Sequence, residues 1–278
     1  MHRVKIPNPG FRRLRSRALL RGLVFAVVLG IVTGACSEDT EGIITVQNPD
    51  AVNILFIGNS LTYANDLPGM LLAMLTAAGI GAVQVEYLAF PNWGLQDHWG
   101  IGEARNVIAR GGWDLIILQQ GPSATEGRPS LLEYSARFKT IASTIGADIA
   151  LYMVWPSKAR SFDFDGVSNS YGTAAENNNG LLFPAGEAWR AAWAVNSALP
   201  FYAQDNFHPS EMGSYLAALT MYEQISGNPA GTVPATLALA SGKKITFDAA
   251  VLSTLRAAAS KANADFGRTV EGWPVGSN

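Results

Sequence analysis

The sequence predicts an α/β fold built on a mostly parallel sheet. Three observations predict it. Short apolar runs of strand length recur from residue 52 onward, and each is followed closely by Gly, Pro or a pair of amides. These runs are nearly continuous rather than alternating, which suits strands covered on both faces. Segments carrying helix-start signals lie between and after them, and such alternation favours a sandwich of helices on a parallel sheet.

The elements follow in order. The first strand is 52–57, halted by Gly58. Asp66 is placed to cap a helix with Pro68 in its first turn, running to about residue 78. The second strand is 82–89, and the third, 115–118, ends at Gln119-Gln120-Gly121. Ser130 and Glu133 have capping-box spacing and open a helix to about 145. The fourth strand, 149–155, stops at Pro156, and the fifth, 181–183, stops at Pro184. Helices follow over about 186–196 and 210–226, and Thr246-Phe247-Asp248 opens a last, Ala-rich one to about 264. No repeat or heptad run interrupts the series, and 229–278 shows no role except packing.

Composition narrows the function. Of 278 residues, 48% are hydrophobic and 15% charged, which excludes a disordered chain. A single cysteine excludes a disulfide framework and a cysteine-built zinc site. A net charge of −2 offers no footprint for nucleic acid. That figure hides a split. Of 20 bases and 22 acids, seven bases and no acids lie in residues 1–35, leaving 13 bases against 22 acids, a balance of −9. The last of the seven is Arg21, and the next 14 residues carry no charge and end in small side chains. A basic start, a short apolar stretch and small residues are the layout of a secretory signal, too short to span a bilayer. Cys36 follows Thr33-Gly34-Ala35, which resembles the lipobox of bacterial lipoproteins, with Thr33 departing from the usual aliphatic residue. The resemblance implies a signal peptide over 1–35, a lipidated Cys36, a polar tether over 36–50 and one domain over 51–278. The implied location is the periplasmic or cell-surface face of a bacterial membrane. The competing reading is an ordinary signal with a chance cysteine.

In parallel sheets, ligands sit beyond the carboxyl ends of the strands. Gly58-Asn59-Ser60-Leu61 follows the first strand there, Asn92-Trp93-Gly94 the second, and Gln119-Gln120-Gly121 the third. Asp205-Asn206-Phe207-His208 comes near the sheet's end. A serine, an Asp/His pair and several backbone or amide donors are the inventory of acyl transfer. Serine is a weak nucleophile until a base takes its proton, imidazole suits that task, and a carboxylate holds the ring. Three histidines narrow the base: His2 lies in the leader, and His98 has only the adjacent Asp97, which points elsewhere. His208, with Asp205 three residues upstream, is favoured.

Residues 54–61 resemble block I of the SGNH (GDSL-type) hydrolase superfamily, Gly94 its block II glycine, and Asp205-x-x-His208 its block V, over about residues 52–226. The resemblance implies a flavodoxin-like three-layer α/β/α sandwich and ester hydrolysis without metal or organic cofactor. It implies Ser60 as nucleophile, His208 as base and Asp205 as its orienting acid. Backbone N–H groups of Ser60 and Gly94 would face the oxyanion. The block III asparagine would fall on Ser123, so Gln120, in a Gln-Gly pair like that of the carbohydrate-esterase branch, is expected as third donor. Asn59, Trp93, His98 and Gln119 are candidate substrate contacts. The expected substrate is a carboxylic ester with a short acyl or acetyl group, acetylated polysaccharide being preferred.

Blander readings stand beside these. Gly58-Asn59-Ser60 alone reads equally as a strand-to-helix turn. Asp205 reads as a helix cap, with Ser210 competing. Trp93, Trp99 and Trp155 read first as core. There is no G-x-S-x-G elbow, no phosphate loop and no H-E-x-x-H, so other hydrolase, nucleotide and zinc chemistries lack their motifs. From another class comes a surface carbohydrate-binding lipoprotein on the same fold that no longer turns over, suggested by the altered block III and the tryptophans.

Overall fold

The computed structural model describes residues 48–275. Five strands form one parallel sheet: β1 (Ala51–Gly58), β2 (Ala82–Ala89), β3 (Leu115–Leu118), β4 (Asp148–Tyr152) and β5 (Leu181–Phe183), in spatial order β2-β1-β3-β4-β5. Ile54, Leu55, Phe56 and Ile57 and all of β3 are fully buried, as the continuous apolar runs require. Helix α1 (Ser60–Tyr63) leads into α2 (Leu67–Ala77), α3 (Leu95–Ile101) and α4 (Glu103–Ala109) connect β2 to β3, α5 (Arg128–Thr144) connects β3 to β4, and α6 (Phe164–Asn177) connects β4 to β5. Three more follow the sheet: α7 (Ala185–Val195), α8 (Glu211–Ser226) and α9 (Ala249–Phe266). Helices α3 to α6 pack together on one face; α2, α7 and α8 pack on the other, with α9 laid over α7 and α8. This is the three-layer sandwich, with the flavodoxin strand order.

Local signals explain most boundaries. Asp66 caps α2 by accepting the Gly69 N–H, and Pro68 sits in the first turn. Ser210 caps α8 by accepting the Gly213 N–H, so Asp205 is not that helix's cap. Two expectations need correction. Helix α5 begins at Arg128, not Ser130: Pro129 sets the first turn, so Ser130 and Glu133 lie inside the helix, and Glu133 pairs with Arg137 at 2.6 Å instead. Strand β4 ends at Tyr152 rather than Trp155, because its neighbour runs into Pro184, which has no N–H to continue the ladder. The Met153 carbonyl takes the Gly186 N–H instead, and Trp155 turns into the core to stack on Trp189 at 3.6 Å.

Residues beyond 229 form a hairpin of β6 (Thr236–Ala238) and β7 (Lys244–Thr246), then α9. After α9, the Arg268 backbone pairs with Leu182 and covers the open edge of β5. Among the described residues no helix is long and apolar enough to cross a membrane.

Candidate active site

The chain leaves β1 for β2 on one side and meets β3 on the other, and this switch point opens a crevice at the carboxyl ends of β1 and β3. Ser60 stands at its floor as the first residue of α1. Asn59 caps that turn: its Oδ1 accepts the Leu61 N–H at 3.0 Å, and its Nδ2 donates to the Trp93 carbonyl at 2.8 Å. One buried oxygen holds the turn from below. Gln119 Oε1 accepts the Asn59 N–H at 2.9 Å and the Thr62 hydroxyl at 2.8 Å. Gly58 lets them close up, since a Cβ there would lie 2.5 Å from that oxygen. His98, 1% exposed, donates from Nε2 to the Gly58 carbonyl at 2.7 Å and rests its ring against Trp93 and Phe90. Burial pushes the His98 pKa down, so the ring is neutral at neutral pH.

The opposite wall is the loop before α8. Asp205 Oδ1 accepts the N–H groups of Phe207 and His208 at 3.0 and 2.9 Å, and Oδ2 accepts from His208 Nδ1 at 2.5 Å. His208 Nε2 faces Ser60 Oγ at 2.8 Å. A proton on Nδ1 leaves the Nε2 lone pair for the serine hydroxyl. The hydrogen bond from His208, helped by the Phe207 N–H, pulls the Asp205 pKa down to about 2, so the carboxylate stays ionised wherever esters are stable. Trp155 Nε1 holds the Phe207 carbonyl at 3.0 Å and Asn65 Nδ2 holds the Pro209 carbonyl at 2.9 Å, tying this loop to the core and to the serine's own segment.

A cavity of about 420 Å³ opens over the serine, lined by Asn59, Trp93, Gly94, Asp97, Gln120 and Phe207 among others. Candidate donors around it are less free than the motifs suggest. Ser60 N–H opens a helix and has no intrahelical partner. Gly94 N–H donates to Asp97 Oδ2 at 2.8 Å. Gln120 is not poised as a third donor: its Nε2 donates to Ser123 Oγ at 2.7 Å and to the Gly127 carbonyl at 3.0 Å. Ser123, at the family's asparagine position, adopts φ 58° and turns its hydroxyl to the Gly121 carbonyl at 2.9 Å. Gln119 and His98 are likewise corrected as substrate contacts, because both are buried under the serine's turn and neither lines the cavity. Asn59 and Trp93 do line it. Asp97, Asn92 and Phe207 line it too, beyond the expected contacts; an acid three residues after Gly94, placed to accept that residue's N–H, is the sequence signal for the first. Among the described residues no three His, Cys, Asp or Glu side chains gather as a metal site requires.

Solved structures share the fold that carries this serine–imidazole–carboxylate chain. One is a Slackia heliotrinireducens protein provisionally assigned as an SGNH hydrolase, 27% identical over 63% of this chain and 98% of its own, with a TM-score of 0.53. That likeness supports the SGNH hydrolase superfamily for this chain. Two further structures share this fold. A DUF4886 family protein from Bacteroides uniformis is 16% identical over 80% of this chain and 98% of its own, with a TM-score of 0.63. A lipase/acylhydrolase from Enterococcus faecalis is 14% identical over 66% and 97%, with a TM-score of 0.50. No protein-family model and no curated protein sequence matches the chain.

Proposed function

We propose that this protein is a hydrolase of SGNH type that cleaves carboxylic esters through an acyl-enzyme on Ser60. One observation carries the reading: an unbroken relay from Ser60 Oγ to His208 Nε2 at 2.8 Å and from His208 Nδ1 to Asp205 at 2.5 Å, open to a cavity. Ser60 Oγ attacks the ester carbonyl carbon while its proton passes to His208 Nε2. The oxyanion develops against the Ser60 N–H and, once Asp97 yields it, the Gly94 N–H. His208 then protonates the departing alkoxide, the C–O bond breaks, and an acyl-Ser60 remains. Water attacks that acyl group, gives its proton to His208, and releases the acid as the serine regains its proton. Asp205 keeps the ring oriented and balances its transient charge. The open cavity, where Asn59, Gln96 and Asp97 stand beside Trp93 and Phe207, supports a short acyl group on a hydrophilic alcohol. Ser60→Ala is expected to lower hydrolysis of a short-chain activated ester by about 10³-fold or more while circular dichroism stays native. Retained turnover would sink the reading.

A second reading draws on the engaged donors at Gly94 and Gln120: a sugar-binding protein without turnover. It predicts sugar binding with no labelling of Ser60 by an organophosphonate, and stoichiometric labelling excludes it. The proposal includes export and anchoring at Cys36, which lies outside the described residues. Cys36→Ser is expected to release the protein from the membrane fraction and abolish acyl-chain incorporation; persistence of both would refute the anchor.

A further inference from the structure

We propose that Gln119 is a positioning residue for the nucleophile: its buried side-chain amide, reaching over from the end of β3, fixes where the Ser60 hydroxyl points without touching substrate. The inference rests on the esterase reading and adds a residue to its machinery. The need arises from the backbone. Ser60 opens a helix of four residues, a single turn that does not hold itself in water. It also stands where β1 leaves the sheet. The last rung there runs from the Gln119 N–H to the Ile57 carbonyl at 2.9 Å. A parallel ladder carried one step further would give the Asn59 N–H a backbone carbonyl of the neighbouring strand. The turn toward Ser60 removes that partner, and Gln119 supplies its side-chain Oε1 instead, at 2.9 Å.

The same oxygen accepts the Thr62 hydroxyl at 2.8 Å. One atom therefore grips the residue before Ser60 and the second residue after it. The bond from the Leu61 N–H to Asn59 Oδ1 and that from the Thr62 N–H to the Asn59 carbonyl lie within the turn and give it shape. Gln119 ties both flanks of that shape to the sheet. Its amide cannot flip. Nε2 donates to the Gln120 carbonyl at 2.6 Å, and that carbonyl also accepts the hydroxyl of Tyr171, on α6, at 2.7 Å. A flipped amide would set N–H against N–H at Asn59 and oxygen against oxygen at Gln120. Gln119, Thr62 and Tyr171 are all fully buried, so each of these groups depends on its partners rather than on water. Gln119 lies beneath the serine and does not line the cavity. Its loss should therefore disturb the alignment of Ser60 Oγ on His208, held at 2.8 Å, more than the binding of substrate.

Wild type, Gln119→Leu, Gln119→Glu and Thr62→Val test this with p-nitrophenyl acetate. Gln119→Leu keeps the bulk and loses the acceptor. Its kcat is expected to fall about 100-fold with KM within about threefold, and the rate at which an organophosphonate labels Ser60 is expected to fall with kcat. In Gln119→Glu the protonated carboxyl keeps one acceptor for Asn59 and Thr62 and offers an O–H to the Gln120 carbonyl. Ionised, it sets a charged oxygen against that carbonyl and beneath the forming oxyanion. Burial holds it protonated above its ordinary value of about 4.3. At about pH 6 its kcat is expected to exceed that of Gln119→Leu by about tenfold or more, then to fall away from wild type as pH rises. Rescue at every pH supports the proposal equally. Thr62→Val keeps the shape, removes one of the two donors and is expected to lose about tenfold in kcat at unchanged KM, which decides the matter if Gln119→Leu does not fold. The proposal is overturned by a folded Gln119→Leu within about threefold of wild type in kcat, by KM changing as much as kcat, or by Gln119→Glu and Gln119→Leu losing the same factor at every pH. Those outcomes count against the proposal alone while wild type turns the ester over and is labelled at Ser60. No labelling and no turnover by wild type overturn the esterase reading and this proposal with it.

Discussion

His98 and His208 put one side-chain type to opposite uses. His208 is partly exposed, with one ring nitrogen bonded to Asp205 and the other to Ser60. His98 is buried, with Nε2 on the Gly58 carbonyl and Nδ1 without a hydrogen-bond partner. Protonating His98 would bury a charge and leave a second N–H unsatisfied, which is why its pKa falls. The consequence for stability has a definite sign. The unfolded chain takes up a proton near the ordinary histidine value of about 6.5, while the folded chain resists. The unfolded state therefore binds more protons below that value, and stability is lost as pH drops from there toward the folded pKa, by up to about 1.4 kcal/mol per pH unit. His98→Phe keeps the ring contacts with Trp93 and Phe90 and removes the titration. Its melting temperature is expected to lie below wild type at pH 7.5, for want of the bond to Gly58, but to fall less between pH 7 and pH 5. Parallel pH dependence in the two proteins would contradict this account. The site's main residues were legible in the sequence because Ser60, Asp205 and His208 come in motif order. The donors were not: whether Gly94 and Gln120 are free depends on Asp97, Ser123 and Gly127, whose approach is set by packing rather than by spacing.

At the level of elements, α8 is the clearest case of local signal and tertiary demand agreeing. Ser210 starts it and Gly227 ends it in a left-handed conformation, φ 72°. Between them it is buried nearly all round, since α2, α7 and α9 enclose it. Gly213 is where it approaches its neighbours most closely: a Cβ there would lie 2.5 Å from the Phe201 carbonyl and 2.6 Å from the Trp189 ring. Trp189 is itself pinned between Trp155 and Phe201 and has no room to retreat. Gly213→Ala is expected to cost about 1–3 kcal/mol in urea unfolding, where an exposed helical Gly→Ala would stabilise. An unchanged midpoint would show that this packing yields. Strands β1, β3, β4 and β5 were readable because a buried parallel strand is apolar nearly throughout, and β2, an edge strand that carries Gln84 and Glu86, because of its Val, Tyr and Leu. Helices α3 and α6 were not, because Gly100, Gly166 and Gly172 dilute the helical signal, which tertiary contacts override, and α4 was not, because its seven residues are too short for a clear period.

Over the molecule as a whole, the segment beyond residue 229 is more than filler. Leu252, Leu255, Ala258, Ala259 and Ala262 turn one buried stripe of α9 onto α7 and α8. Glu223 is a polar tie beside that stripe, accepting the Ala230 N–H at 2.7 Å and the Asn263 amide at 2.9 Å. Further on, Trp273 Nε1 reaches Asp148 Oδ2 at 3.1 Å and the Val275 N–H reaches the Ile225 carbonyl at 2.9 Å. A chain ending at residue 248 would bare the outer faces of α7 and α8 and the edge of β5. It is expected to precipitate or bind a hydrophobic dye strongly, although it retains Ser60, Asp205 and His208. A monomeric, fully active truncation would contradict this.

All five strands of a parallel sheet point one way, and that polarity gives the domain two unlike poles. Asn48, bonded to Gln84 at 3.0 Å, enters at the pole where Ala51 and Ala82 begin their strands. Ser60 stands at the other pole, across an eight-residue strand of about 26 Å. The described chain therefore enters the domain at the pole opposite its mouth, so a substrate approaches Ser60 from a side that the entering segment leaves clear.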